Sequence, residues 1–426
     1  MTKRAGWFSL LLLVCPVGVD AAAPKAAGDK PADTSAAVAG GLYSPWKTGP
    51  WNDANFFPIG VWAQEPGNAP RYRGAGINLY VGLHKGPTEG QLADLKKAGM
   101  PVICAQNEVG LEHKDDPAII GWIQGDEPDL ARDFKKAWDS NLAAIGAAWP
   151  EYAGRTEKDW GEYGPPKPPA WIQQTYQKWH AADATRPILV NFGPPVAEPN
   201  LANDRGVRTR HNEDYVEYSK GADIVSFDIY PLNDRRPWAK NKLEMPARGV
   251  ANLREWTGGK KPVWFCVEGG AVSGVAPTPE QVRSEVWMAL IRGGTGIIYF
   301  VHQFKPTFNE TYLLDDAGLL AGVTALNRQI AGLAPVLNSP TVEGAVEIAS
   351  SNKDAPVIAM AKRRGGATYV FAACTGEAVV KATFTVKDMP IRTAAEVLGE
   401  GRTAEVIGGK FSDDFKPYEV HLYRIK

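Results

Sequence analysis

Ile119-Ile120-Gly121-Trp122-Ile123-Gln124-Gly125-Asp126-Glu127-Pro128-Asp129 is a run of mostly apolar residues that stops abruptly on acids and a proline. Its apolar residues are adjacent rather than alternating, the pattern of a strand covered on both faces. Pro262-Val263-Trp264-Phe265-Cys266-Val267-Glu268-Gly269-Gly270 repeats the arrangement. Each reads as a buried parallel strand that ends on a glutamate and then turns. If both strands belong to one barrel, the two glutamates can face each other across one cleft.

The same unit recurs along the chain: short apolar strand, polar turn, amphipathic helix. Strands are expected at 57–62, 77–83, 101–105, 119–124, 187–192, 223–230, 262–267 and 296–301. Thr88-Glu89-Gly90-Gln91 and Thr278-Pro279-Glu280-Gln281 are capping boxes that open helices. Further helices are expected over 130–148, 171–182 and 319–333, the first beginning a long insertion that carries Trp149 and Trp160. Eight strand–helix units predict an α/β chain closed into a (β/α)8 TIM barrel over residues 51–335. An open doubly wound sheet would carry a Gly-rich turn after strand one, and Val61-Trp62-Ala63-Gln64-Glu65 is not one. After Pro335 the texture changes to short strands and turns, which predicts a small antiparallel β-sandwich over 336–426.

Lys3 and Arg4 precede a short apolar run, and Ala21-Ala22-Ala23 offers small residues for cleavage. Residues 1–23 read as a signal peptide and 24–50 as a flexible linker, which places the chain outside the cytoplasm, secreted or periplasmic. Cys15 leaves a lipoprotein anchor open; Val14 before it fits poorly. No later segment is apolar enough for a membrane span. Lys+Arg 47 against Asp+Glu 48 leaves no basic excess for nucleic acid. Cys104 and Cys266 sit in apolar runs and read as buried thiols.

A barrel of this kind places its site at the C-terminal ends of the strands. Those ends carry Trp62 and Gln64, His84, Gln106 and Asn107, Asp126 and Glu127, Asn191, Asp228 and Tyr230, Glu268, and His302. Two facing carboxylates are the minimum for acid–base or nucleophilic cleavage of a glycosidic bond. Each glutamate also has a plain reading, Glu127 as part of a helix start and Glu268 as part of a turn. No lysine ends a strand, which excludes a Schiff-base site there. The six histidines show no paired spacing for a metal, so neither metal nor other cofactor is expected, and a metal-dependent hydrolase ranks low. A phosphate site at Gly269-Gly270 ranks lower still.

Glutamates ending strands four and seven resemble the clan A glycoside hydrolases, a barrel group that includes β-galactosidases, β-glucosidases and endoglucanases. The resemblance implies hydrolysis of β-linked glycosides or polysaccharides with retention. It assigns Glu127 as general acid/base and Glu268 as nucleophile. It implies that Tyr230 hydrogen-bonds the nucleophile. From their places at the strand ends, Trp62, His84, Asn107, Asp126, Asn191, Asp228, Tyr230 and His302 are expected to contact an oligo- or polysaccharide. That family usually has asparagine before the acid/base, where this chain has Asp126. A non-catalytic carbohydrate-binding barrel is the alternative.

Overall fold

The computed structural model describes residues 41–130, 143, 145–154, 165–201 and 208–426. The expected signal peptide, most of the linker, most of the helix at 130–148 and Trp160 lie outside these residues.

Eight parallel strands form the barrel: β1 (Ile59–Trp62), β2 (Leu79–Val81), β3 (Val102–Cys104), β4 (Ile119–Asp126), β5 (Ile188–Phe192), β6 (Ile224–Phe227), β7 (Trp264–Glu268) and β8 (Gly296–Phe300). Each neighbour pairs in chain order, and β8 pairs with β1. Bridges Val225–Val263 and Asp228–Cys266 close the ring between β6 and β7. Side chains alternate in and out, as a strand period of two requires. Val81, Ile103, Leu189, Ile224, Trp264, Cys266 and Ile298 fill the interior. Phe265, Val267, Ile297 and Tyr299 pack outward against the helices. Both capping boxes form, starting the helices Glu89–Ala98 and Pro279–Ile291.

The described end of the expected linker is not a free tether. Tyr43 stacks on Trp51 at 5.3 Å, and its hydroxyl accepts from the Trp264 indole at 2.6 Å and donates to the Thr295 carbonyl at 3.0 Å. The aromatics at 43, 46 and 51 thus plug the barrel floor, where apolar surface would otherwise meet water. A cavity of ≈ 350 Å³ lies beside this plug, lined by Trp51, Arg254 and Lys362 among others.

Eight antiparallel strands follow, β9 (Val346–Ser350), β10 (Val357–Arg364), β11 (Ala367–Cys374), β12 (Val380–Val386), β13 (Arg392–Val397), β14 (Arg402–Ile407), β15 (Lys410–Phe415) and β16 (Val420–Ile425). They hydrogen-bond as one sheet, in the order β10-β11-β16-β13-β14-β15-β12-β9. Flat, that order would put β12 about 19 Å from β16. Phe384 of β12 instead lies 5.5 Å from Tyr423 of β16, so the sheet folds over on its own core. Its other face docks on the barrel through Trp287 against Phe371 at 5.2 Å, burying nearly the whole helix Pro279–Ile291.

Candidate active site

The residues at the end of β4 turn sharply. Glu127 has φ 46°, the left-handed region that a side chain other than glycine rarely adopts. Its N–H donates to the Asn191 carbonyl at 2.7 Å, which holds the turn. Strain of this kind persists where surrounding contacts enforce it, and it concentrates at functional sites. Here it lets one strand end present two consecutive acids, Asp126 and a buried Glu127.

Asn191 organises the acids. Its Nδ2 donates to Asp126 Oδ1 and to Asp228 Oδ1, both at 3.0 Å, and its Oδ1 accepts from the Ser226 hydroxyl at 2.7 Å. Its amide is therefore spent as a bridge between β4 and β6. Burial drives the Asp228 carboxyl well above the usual carboxylate range, and the charges of Glu127 and Asp126 push the same way. Burial and the neighbouring acids thus both favour the protonated form of Asp228. Asp129 is almost fully enclosed, accepting from Gly193 N and the Tyr215 hydroxyl, each at 2.9 Å. Burial, with a contribution from Glu127, pushes it up to about 7. Asp129 is not among the strand-end residues expected at the site.

Glu268 has no exposed surface. Its Oε1 accepts from Leu232 N at 2.7 Å, and its Oε2 accepts from Asn233 Nδ2. The Tyr230 hydroxyl is thus not the donor that the resemblance implied; the loop after β6 supplies both donors. Against Glu268 lies Glu285 from the helix Pro279–Ile291, fully buried, with neither carboxyl oxygen satisfied by another polar group. Burial raises Glu285 well above its ordinary value, and the Glu268 charge adds to it. Burial likewise pushes Glu268 up to about 7, against the hydrogen bonds that favour its charge. Burial therefore favours the protonated form of Glu285 more strongly than that of Glu268.

Gly270 follows because nothing larger fits. A Cβ there would stand 2.6 Å from the Val301 carbonyl oxygen. The glycine pair serves the approach of β7 to β8, which accounts for it without phosphate.

The remaining candidates divide. Trp62 is half-buried over the barrel interior, Tyr230 is half-buried with its ring 5.1 Å from Phe300, and His302 is buried. These stand with the acids at the strand ends. Asn107 is a helix cap: its Oδ1 accepts from Gly110 N at 2.8 Å and its Nδ2 donates to the Pro87 carbonyl at 2.9 Å. His84 is exposed on the turn after β2. Trp149 is buried, with the Arg208 guanidinium 4.8 Å over its ring, so that face is taken. Trp122 and Trp264 are core residues, as their strand positions suggest. Gln64 matters more than its sequence indicated, because its Nε2 meets His302 Nε2 at 3.1 Å and its Oε1 accepts from the Tyr72 hydroxyl. Among the described residues no cluster of His, Cys, Asp or Glu is arranged to hold a metal.

A closed eight-stranded parallel barrel with an acid cluster at the C-terminal strand ends has the architecture of a (β/α)8 barrel. The solved structures similar to it include the GH42 β-galactosidase Gan42B, at 11% identity over 87% of this chain and 98% of that one, with a TM-score of 0.51. A catalytic mutant of that enzyme from G. stearothermophilus scores 0.49 at 11% identity, covering 88% and 98%. An Anoxybacillus α-amylase scores 0.48 at 10% identity, covering 87% and 98%. Identities this low speak for the fold alone. No protein-family model and no curated protein matches the chain.

Proposed function

We propose that this chain is a secreted glycoside hydrolase that cleaves β-linked glycosides or polysaccharides with retention. The observation that carries the reading is the strained, buried Glu127 at the end of β4, set among Asp126, Asp228 and Asn191. Glu127 protonates the leaving oxygen and later activates water. Glu268, at the matching end of β7, attacks the anomeric carbon to form a glycosyl-enzyme. Leu232 N and Asn233 favour its charged form, and burial favours the neutral form of the adjacent Glu285. The export reading rests on the signal-like residues 1–23.

One observation favours a second assignment of the pair. Asp228 lies in the electrostatic field of Glu127, whereas Glu268 is raised by burial and its partners are Asn233, Leu232 and Glu285. In that case Asp228, whose neutral form burial favours, is the acid and Glu127 the base or nucleophile. Chemical rescue separates the two. Aryl glycosides are given to Glu268→Ala and Asp228→Ala with sodium azide, and the products are read by NMR. A glycosyl azide of inverted configuration from Glu268→Ala alone supports Glu268 as nucleophile. Full activity in Glu268→Ala without azide removes it from the reaction. Full activity in Glu127→Gln and Glu268→Gln would end the glycosidase reading.

A further inference from the structure

The loop after β8 places two large apolar rings in water. Phe304 is 51% exposed and Phe308 64%. Neither sits on a loose segment. Gln303 and Asn309 exchange backbone hydrogen bonds at 2.8 and 2.9 Å, the Gln303 amide donates to the Thr307 carbonyl at 3.0 Å, and Phe304 N donates to Val272 O at 3.1 Å. The chain thus spends four hydrogen bonds to hold exposed phenylalanines on a short hairpin. An apolar patch fixed in this way beyond the end of a barrel strand has the character of a binding surface.

The rings continue an aromatic run that starts at the acids. Tyr230, two residues beyond Asp228, lies 5.1 Å from Phe300, and Phe300 lies 4.8 Å from His302. Phe304 is nearly parallel to His302, at 5° and 6.0 Å, and Phe308 is 6.2 Å away on a stacked geometry. Phe304 and Phe308 are 5.8 Å apart.

His302 adds an unspent polar group. The Tyr72 hydroxyl donates to Gln64 Oε1, so Gln64 Nε2 faces His302 Nε2 and must donate to it. That fixes the tautomer with the proton on Nδ1, an atom buried beneath the aromatic run with no partner. Burial lowers the His302 pKa to about 4, so the ring is neutral at physiological pH.

We propose that Phe304 and Phe308 form a stacking subsite for a second pyranose ring of an oligosaccharide. A pyranose offers an apolar face of C–H bonds to the phenyl rings while its hydroxyls stay in water. The aromatic run makes the subsite continuous with the acids, so the substrate class is a chain of at least two sugars. The proposal rests on the glycoside reading of the acid cluster.

The test is binding, so it stands apart from turnover. Full-length Glu127→Gln protein is titrated by calorimetry with β-1,4-linked gluco-, xylo-, manno- and galacto-oligosaccharides and with maltooligosaccharides of one to five units. One series is expected to gain affinity on going from one unit to longer chains. Added Phe304→Ala or Phe308→Ala lowers that affinity roughly tenfold and leaves the monosaccharide unchanged, while Phe304→Trp retains it. Unchanged affinity for every oligosaccharide in both alanine variants overturns the subsite. So does absence of binding across the panel. A parent dimer that both alanine variants convert to monomer, read by light scattering, overturns it in favour of a self-association surface. Phenylalanine-dependent binding by a wild-type protein that hydrolyses none of these sugars would sink the hydrolase reading and leave the subsite standing.

Discussion

The ends of β4 and β7 look alike in sequence: an apolar strand, a glutamate, a tight turn. In three dimensions they differ in backbone, company and access. Glu127 is reached through a left-handed residue and stands in a group of carboxyls organised by one asparagine. Glu268 continues an ordinary strand, has no exposed surface, and is enclosed by two loop donors and a second carboxyl from an outer helix. A strand-end acid is therefore a position and not yet a role. What surrounds it decides whether it holds a proton or loses one.

The comparison breaks most visibly in catalysis. Glu127→Gln and Glu268→Gln are each expected to lower kcat/KM on the best glycoside by about 10⁴-fold, the upper end of what a positioned acid–base group supplies. Near-native turnover in one would show that the two strand ends are not a pair.

Stability sharpens it next. Asp129→Ala leaves the Gly193 N–H and the Tyr215 hydroxyl without their buried acceptor, a loss of about 2–3 kcal/mol in urea unfolding. The parent should also lose stability as pH rises. Asp129 titrates near 7 when folded and about 4 when unfolded, so the folded state binds more protons between those values. That contribution is fully present below pH 4, falls up to about pH 7, and is then constant. The alanine variant lacks this slope, which unfolding at pH 5 and pH 8 would reveal. Asn191→Ala unlinks Asp126 from Asp228 and costs about 1–2 kcal/mol by the same measurement, with no comparable loss expected at the β7 end.

The smallest effect concerns the Glu268–Glu285 contact. If Glu268 must be ionised to react, activity falls as pH drops through about 7. Glu285→Leu removes the neighbouring carboxyl that favours the Glu268 charge, so the acid limb of kcat/KM moves upward by about one pH unit. An unmoved limb would show that Glu285 serves packing alone.

Much of this was legible in the chain. All eight barrel strands read as apolar runs because both of their faces are buried, and both capping boxes form as written. The strands β13, β14 and β15 carry the weakest sequence signal. Arg-Thr-Ala-Ala-Glu-Val, Arg-Thr-Ala-Glu-Val-Ile and Lys-Phe-Ser-Asp-Asp-Phe are short and mostly polar, and their pairing is set by glycine turns and by neighbours distant in sequence. The strand ends carrying Asp126, Glu127, Asn191, Asp228 and His302 were found from position alone. Asn107 was misread, because a cap and a ligand contact use the same amide. Glu285 was invisible, since an acid in a helix ordinarily faces water. Phe304 and Phe308 were passed over in favour of tryptophans, although Phe-Lys-Pro-Thr-Phe directly follows a strand end.

The sequence by itself determined the barrel and the residues at its mouth, because burial imposes a local pattern and the strand period of two fixes which residues reach each end. Only the tertiary structure decided which acids meet. Proton affinity depends on distance, enclosure and donors from other elements, such as Asn191 between β4 and β6 or Glu285 behind β7, and no stretch of sequence carries those on its own.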